Sequence, residues 1–319
     1  MGTFADSFRT AAGPHGVLTF ERFMDLALYD PVCGYYRRER GRVGRAGADF
    51  YTASSIPLFG ELMAEAGAEL AGGLSKAAEY TFVELGVEPG GGVLRGISHP
   101  FKSLREFGAG TTPELAGPCV VFSNELFDAQ PFRRFRKGPN EWCELGVKPS
   151  PIGWEWADLT VSNADFLPSD APEGYSLDAP TGARQLAESI AAQPWTGLFI
   201  AADYGKSWEE LAFGTAMGTA RAYRQHRQTN DLLADPGEQD LTCHVCWDWI
   251  GDALKRHGFG PANVEAQEAF FVKHAGALLA RLTAATSSGV DPRKRDIMQL
   301  LHPSLMGRKF QVMTAFRPP

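Results

Sequence analysis

No apolar run in this chain reaches the roughly 18 to 20 residues that a membrane-crossing helix needs, so no membrane span is expected. The opening stretch MGTFADSFRTAAGPHG lacks the apolar core of a secretory signal, which makes a cytoplasmic location the default expectation. Basic runs are scarce as well. The densest are 133–137 (RRFRK) and 293–295 (RKR), against a net charge of −7. That balance speaks against broad nucleic-acid binding. The five cysteines, at 33, 119, 143, 243 and 246, are odd in number and form no disulfide framework. Cys243 and Cys246 have the spacing of two zinc ligands, but no second pair lies nearby in the sequence. Buried thiols and no metal are the expectation. Internal repeats and low-complexity linkers are also missing.

What remains is ordinary globular material: 319 residues, 44% hydrophobic and 22% charged, enough for one large domain or two modest ones. The first 75 residues read as mainly helical. Phe20, Phe23, Met24, Ala27 and Leu28 recur at helical spacing, with Thr19 as N-cap and Asp30-Pro31 as the stop. A glycine-rich, charged loop is expected over 41–51, and a second helix over 58–70. After residue 78 the pattern alternates. Strands are expected at 81–85, 101–107, 119–123, 142–147, 154–159, 197–204, 220–225, 263–265 and 310–316, and helices at 183–192, 245–257, 270–283 and 293–301. The continuous apolar runs FVEL, CVVF and LFIAAD suit central strands of a parallel sheet buried on both faces. The 142–159 segment instead reads as an antiparallel hairpin. The fold class is therefore α/β: a doubly wound, Rossmann-like sheet, with a helical N-terminal cap over 1–77 and a core over 78–319 carrying antiparallel insertions near 133–180 and 206–300.

Chemistry is expected at the carboxyl ends of the parallel strands, where such sheets bind ligands. FVELGVEPGGGVL (82–94) runs from a buried strand into glycines at 86, 90, 91 and 92. That loop lets a ligand approach bare backbone, and the N–H groups of a following helix can meet an anion or a ribose. It fits neither the dinucleotide fingerprint nor the P-loop. Glu84 lies inside the strand, where a carboxylate must be hydrogen-bonded or face a ligand. Two more strand-end acidic motifs follow, 123–131 (SNELFDAQP) after CVVF and 203–205 (DYG) after LFIAA. Plainer readings stand beside these: a glycine-rich turn made for packing, and Asn124 and Asp128 as helix caps. The stretches 218–227 and 236–242 mix Tyr, Arg, His and Asp and read as functional loops or as solvated charge.

Several motifs occur in a fixed order: ALYDPVCGYY (27–36), GRAGADFYTASSIPLFGE (44–61), the 82–94 loop, NELFDAQPFRRF (124–135), DYG, GTARAYRQHR (218–227), PGEQDLT (236–242) and MGRKFQV (306–312). Together they resemble the MidA family, which includes the mitochondrial arginine methyltransferase used in respiratory complex I assembly. The likeness covers nearly the whole chain. It implies a class I fold, S-adenosylmethionine as cofactor, a protein substrate or partner, and symmetric ω-N dimethylation of arginine. It leaves a homodimer open. By this likeness Glu84 and Gly86 match the first cofactor motif, and Pro89, Gly90, Gly92 and Leu94 the rest of its loop if Val87-Glu88 is an insertion. Asn124, Glu125, Asp128 and Pro131 match the motif beside the methyl donor, and Asp203 the acid after the next strand. Paired carboxylates can grip a guanidinium, which makes Glu125 and Asp128 the catalytic candidates, with His226 as a proton acceptor.

The chain departs from the family pattern in two places. Val87-Glu88 lengthens the cofactor loop. Only 29 residues separate Leu94 from Asn124, whereas one βαβ unit takes about 30, so at least one element there is shortened or lost. Glu106 is the carboxylate nearest to where a ribose acid belongs, in a register the sequence leaves open. The alternative function that follows is a methyltransferase-fold scaffold that binds a partner protein without the cofactor. A nicotinamide oxidoreductase is disfavoured by the glycine spacing.

Overall fold

A computed structural model describes residues 3–37, 52–225, 227–284 and 292–319. The expected 41–51 loop lies outside these residues. The chain divides into two units, one built from 1–40, 127–186 and 205–250, the other from 41–126, 187–204 and 251–319. This division does not follow a linear cut at residue 77. The helices Phe4–Ala12 and Phe20–Tyr29 belong to the first unit, and the helix Pro57–Leu70 to the second.

The second unit holds a six-stranded sheet. Its strands in chain order are β1 (Thr81–Val87), β2 (Ser103–Gly108), β3 (Gly117–Asn124), β4 (Trp195–Asp203), β5 (Asn263–Ala266) and β6 (Gln311–Arg317). They lie in the order β5-β6-β4-β3-β1-β2. The four strands β2, β1, β3 and β4 are parallel, while β6 runs antiparallel to β4, and β5 to β6. The chain enters at β1, steps out to β2, then returns past β1 to β3. That reversal makes a crevice at the carboxyl ends of β1 and β3. Phe82, Val120, Phe122 and Ile200 of the sheet share one core with Phe59, Leu62 and Met63 of the helix Pro57–Leu70.

Compression of the 95–123 segment is visible directly. Along the chain only one strand, β2, lies between β1 and β3, and no helix is present from Val87 to Gly117. The helix that the sequence led one to expect after the glycine loop is replaced by turns. Two later helices also differ from expectation. The 270–283 helix is two, Gln267–His274 and Gly276–Ala284, broken at Ala275. The helix expected from Val245 starts at Trp247, because Val245–Cys246 pairs as a strand with Gly205–Lys206.

The first unit carries an antiparallel sheet. Trp142–Ser150 and Gly153–Leu159 form the expected hairpin, extended by Arg133–Lys137, Ser176–Ala179 and Leu18–Thr19. The helix Phe20–Tyr29 starts where the sequence places it, with the Thr19 hydroxyl accepting from the Arg22 N–H at 3.2 Å. Its Phe20 and Phe23 rings meet Trp156 and Trp154 of the hairpin.

Asp178 anchors the GTARAYR motif in this unit. Its buried carboxylate accepts from the N–H groups of Thr219 (2.7 Å) and Ala220 (2.8 Å) and pairs with Arg134 at 2.7 Å. Removing one partner of a buried pair strands the other charge, so Asp178→Ala is expected to cost about 3 to 5 kcal/mol. Urea unfolding measures it, and a loss under about 1 kcal/mol would contradict this account.

Candidate functional site

Four strand ends of the parallel sheet deliver polar groups to one edge. Glu84 of β1 is buried, and its Oε2 accepts from the Val93 N–H at 2.8 Å. Burial, more than any neighbour, raises its carboxyl to about 7, and the adjacent Glu106 adds to the rise. Glu106 sits directly opposite Glu84 across the β1–β2 pair, and its Oε1 accepts from the Gly92 N–H at 3.1 Å. The register left open by the sequence is thereby fixed. A carboxylate does stand near the end of the second strand, beside the glycine loop. Sequence reasoning named Glu106 as the nearest carboxylate but gave it no role, because neither assignment of the strand's faces produced a clean terminal acid.

The loop is held in place by these two acids. A Cβ on Gly92 would lie 2.3 Å from Glu84 Oε2 and 2.9 Å from Glu106 Oε1. Gly86 has a φ of +78°, and a Cβ there would meet Leu126 Cδ1 at 2.9 Å, so both geometry and space require glycine. Gly90 is different, because a Cβ there meets nothing within 4 Å.

At the end of β3, Asn124 donates from Nδ2 to Glu125 Oε1 at 3.0 Å. Its buried Oδ1 has no hydrogen-bond partner among the described residues. Such orphan acceptors are rare in native proteins, and an absent ligand is one explanation. Glu125 itself adopts a positive φ of 48°, and its N–H donates to the Ala202 carbonyl at 2.9 Å. A non-glycine residue in that region is a marker of local strain that often accompanies function. Asp203 is fully buried at the end of β4, with Oδ1 accepting from the Tyr204 N–H at 2.8 Å.

This edge fits S-adenosylmethionine. The cofactor has a ribose diol that donates to carboxylates, an ammonium and sulfonium that favour acidic surroundings, and an amino group on its adenine. Glu84, Glu106, Glu125 and Asp203 supply the acids. The orphaned Asn124 Oδ1 supplies an open acceptor, and Gly92 a place where backbone alone fits.

Asp128 belongs to the first unit, unlike Glu125. It is buried there with Asp240, and both carboxylates act on the hydroxyls of Tyr29 and Tyr36. Burial first, then these acids, push both phenols well above their ordinary value. Each is therefore a fixed O–H donor. Tyr36 donates to Asp240 Oδ1 at 2.9 Å, and Tyr29 to the Ala129 carbonyl at 3.0 Å. The two rings stack at 5.3 Å. Sequence reasoning quoted the motifs that carry Tyr29, Tyr36 and Asp240 but gave those three no role. Only the fold brings 29–36, 128 and 240 together. His226 lies outside the described residues. Cys243 and Cys246 are buried and in no disulfide, and no group of three metal-ligating side chains occurs among the described residues. No helix among them is long and apolar enough to cross a membrane.

A parallel sheet reversing between β1 and β3, with acids and a glycine loop on its carboxyl edge, defines a class I methyltransferase fold. A family model described as "Putative S-adenosyl-L-methionine-dependent methyltransferase" matches residues 93–263, more than half of the chain. The chain belongs to that family, the MidA-type S-adenosylmethionine-dependent methyltransferases. Among curated relatives, the mitochondrial protein arginine methyltransferase NDUFAF7 of Danio rerio is 26% identical, with 93% of this chain and 82% of that protein covered. The Homo sapiens protein of the same name is 24% identical, with 92% and 79% covered. A Burkholderia thailandensis structure bound to S-adenosylhomocysteine superposes with a TM-score of 0.84 at 24% identity, covering 98% of this chain and 91% of that one.

Proposed function

We propose that this chain methylates a terminal nitrogen of an arginine side chain in a protein substrate. The observation that supports it best is the pair of buried carboxylates Asp128 and Asp240, with Tyr36 donating to Asp240 and Tyr29 stacked beside Tyr36. A guanidinium is a planar fork of donors, and two carboxylates match it better than they match any neutral acceptor of a methyl group. Tyr36 holds Asp240 from one side and so fixes where its remaining lone pairs point. Carboxylates on two of the guanidinium nitrogens draw positive charge toward those N–H groups. Electron density then gathers on the third nitrogen, which takes the methyl as the sulfur–methyl bond breaks, and the proton that the guanidinium sheds passes to a carboxylate of the pair and on to solvent. The relatives named as arginine methyltransferases point the same way.

S-adenosylmethionine supplies an electrophilic methyl on a sulfonium, displaced in line, a reaction that depends on positioning more than on covalent catalysis. Glu84, Gly86, Gly92, Glu106, Asn124 and Asp203 would hold it, with Gly92 offering bare backbone, Glu106 a carboxylate acceptor for a ribose hydroxyl and Asn124 its open Oδ1.

The test is calorimetry with S-adenosylmethionine, then transfer of labelled methyl to protein with identification of the modified residue. Glu106→Gln should weaken cofactor binding about tenfold. Asp240→Asn should cut turnover about a hundredfold with cofactor affinity unchanged. No heat at about 1 mM cofactor would sink the enzyme reading, and a methyl on a residue other than arginine would sink the specificity. A second reading draws on the segment from Val87 to Gly117, which has lost its helix. In that reading the chain is a scaffold that holds a partner protein without cofactor, the outcome if calorimetry is silent.

A further inference from the structure

The first unit contains a cavity of about 750 Å³ in which Asp128, Asp240 and the two tyrosines take no part. Its size lies within the range of small-ligand sites. One wall is the pair Arg133–Glu144, from neighbouring antiparallel strands. The guanidinium donates to Glu144 at 2.9 and 2.6 Å and to the carbonyls of Asn163 and Ser162 at 3.0 and 2.6 Å. Four of its five N–H groups are thereby taken and its charge is paired with Glu144, so that arginine shapes the cavity rather than offering it a charge.

Two other lining groups are not saturated. Glu21, in the first turn of the helix Phe20–Tyr29, is half-buried and takes a 2.5 Å hydrogen bond from the Thr181 hydroxyl. Burial raises its carboxyl above the ordinary value, so it gains from a cationic partner. Arg184 is exposed, its guanidinium 5.9 Å from the centre of the Trp249 ring. It makes no ion pair with a carboxylate among the described residues. Stacked on an aromatic face, it is pre-oriented for a planar anion.

We propose that this cavity is a second binding site, for a ligand that carries an ammonium and a carboxylate a short distance apart. Glu21 takes the cation and Arg184 the anion. Two sources share that chemistry, a free amino acid and a peptide segment with basic and acidic residues close together. Nothing in the argument depends on methyl transfer, so the site stands or falls separately from the proposed activity.

The experiment is calorimetry on the full chain with two probes, free L-lysine and the tetrapeptide Lys-Gly-Gly-Glu. The wild-type protein should bind at least one of them, and which one identifies the source. Glu21→Gln and Arg184→Gln should each weaken that binding about tenfold or more. The far-ultraviolet circular dichroism spectrum and a cooperative thermal transition should be retained in both variants, which shows that they are folded. The proposal is overturned if neither probe binds at about 10 mM, or if both variants bind like wild type.

Discussion

Glu84→Gln is expected to stabilise the protein at pH 8 and to leave its stability unchanged at pH 4. The cause is the burial of a carboxylate that has one backbone donor, the Val93 N–H, and a second carboxylate opposite it on β2. Glu84 is raised from an ordinary 4.5 to about 7 in the folded protein. A raised folded value means that the folded state holds its proton while the unfolded chain has already released it. The neutral group's contribution is fully present below 4.5 and is lost as pH climbs through 7. Above that, the charged form penalises folding by on the order of 3 kcal/mol. Glutamine removes the penalty, keeps an oxygen for Val93, and offers Glu106 an N–H. Thermal unfolding of both proteins at pH 4, 6 and 8 measures it. The melting temperatures should coincide at pH 4 and separate by several degrees at pH 8. Equal values at pH 8 would mean that Glu84 is not ionised at a cost. In the proposed function the cost has a reason: a buried anion placed to meet a cationic ligand. The same variant should therefore lose affinity for S-adenosylmethionine while gaining stability, the trade-off common at binding sites.

The sequence carried much of the fold because its strongest signals were local. The helices Phe20–Tyr29 and Pro57–Leu70 and the runs through β1, β3 and β4 follow from periodicity and apolar continuity. The spacing from Leu94 to Asn124 foretold a missing element, since chain length bounds what a segment can hold. Strand Arg133–Lys137 was less legible. Its sequence RRFRK reads as a charge run, yet Phe135 is buried and three of the arginines are paired with Glu144, Asp178 and Asp158. Those partners come from other strands, so nothing within the run announces them. Glu106 shows the same limit at the site. Its role depends on pairing with Glu84, a contact set by strand register. The two-unit division was hidden because its pieces interleave three times along the chain.

Substituting alanine at two glycines of one loop should give opposite results. At Gly92 a methyl group would stand 2.3 Å from Glu84 Oε2 and 2.9 Å from Glu106 Oε1. Both oxygens belong to strand side chains that also bind this loop, through the N–H groups of Val93 and Gly92. Neither carboxylate can give way without losing its loop donor, so the loop must lift from the sheet edge. Gly92→Ala is expected to weaken S-adenosylmethionine binding about a hundredfold or more, because cradle and acids are displaced together. At Gly90 the added methyl meets nothing within 4 Å and the backbone is not in the left-handed region, so Gly90→Ala should bind within about twofold of wild type. Calorimetry on the two variants decides it. Loss at Gly90 with tolerance at Gly92 would place the cofactor on the outer side of the loop, away from Glu84 and Glu106. Loss at Gly92 alone makes those two acids and the backbone between them the binding element. The spacing of the glycines in the sequence does not rank Gly90 against Gly92, and only the positions of two carboxylates distinguish them.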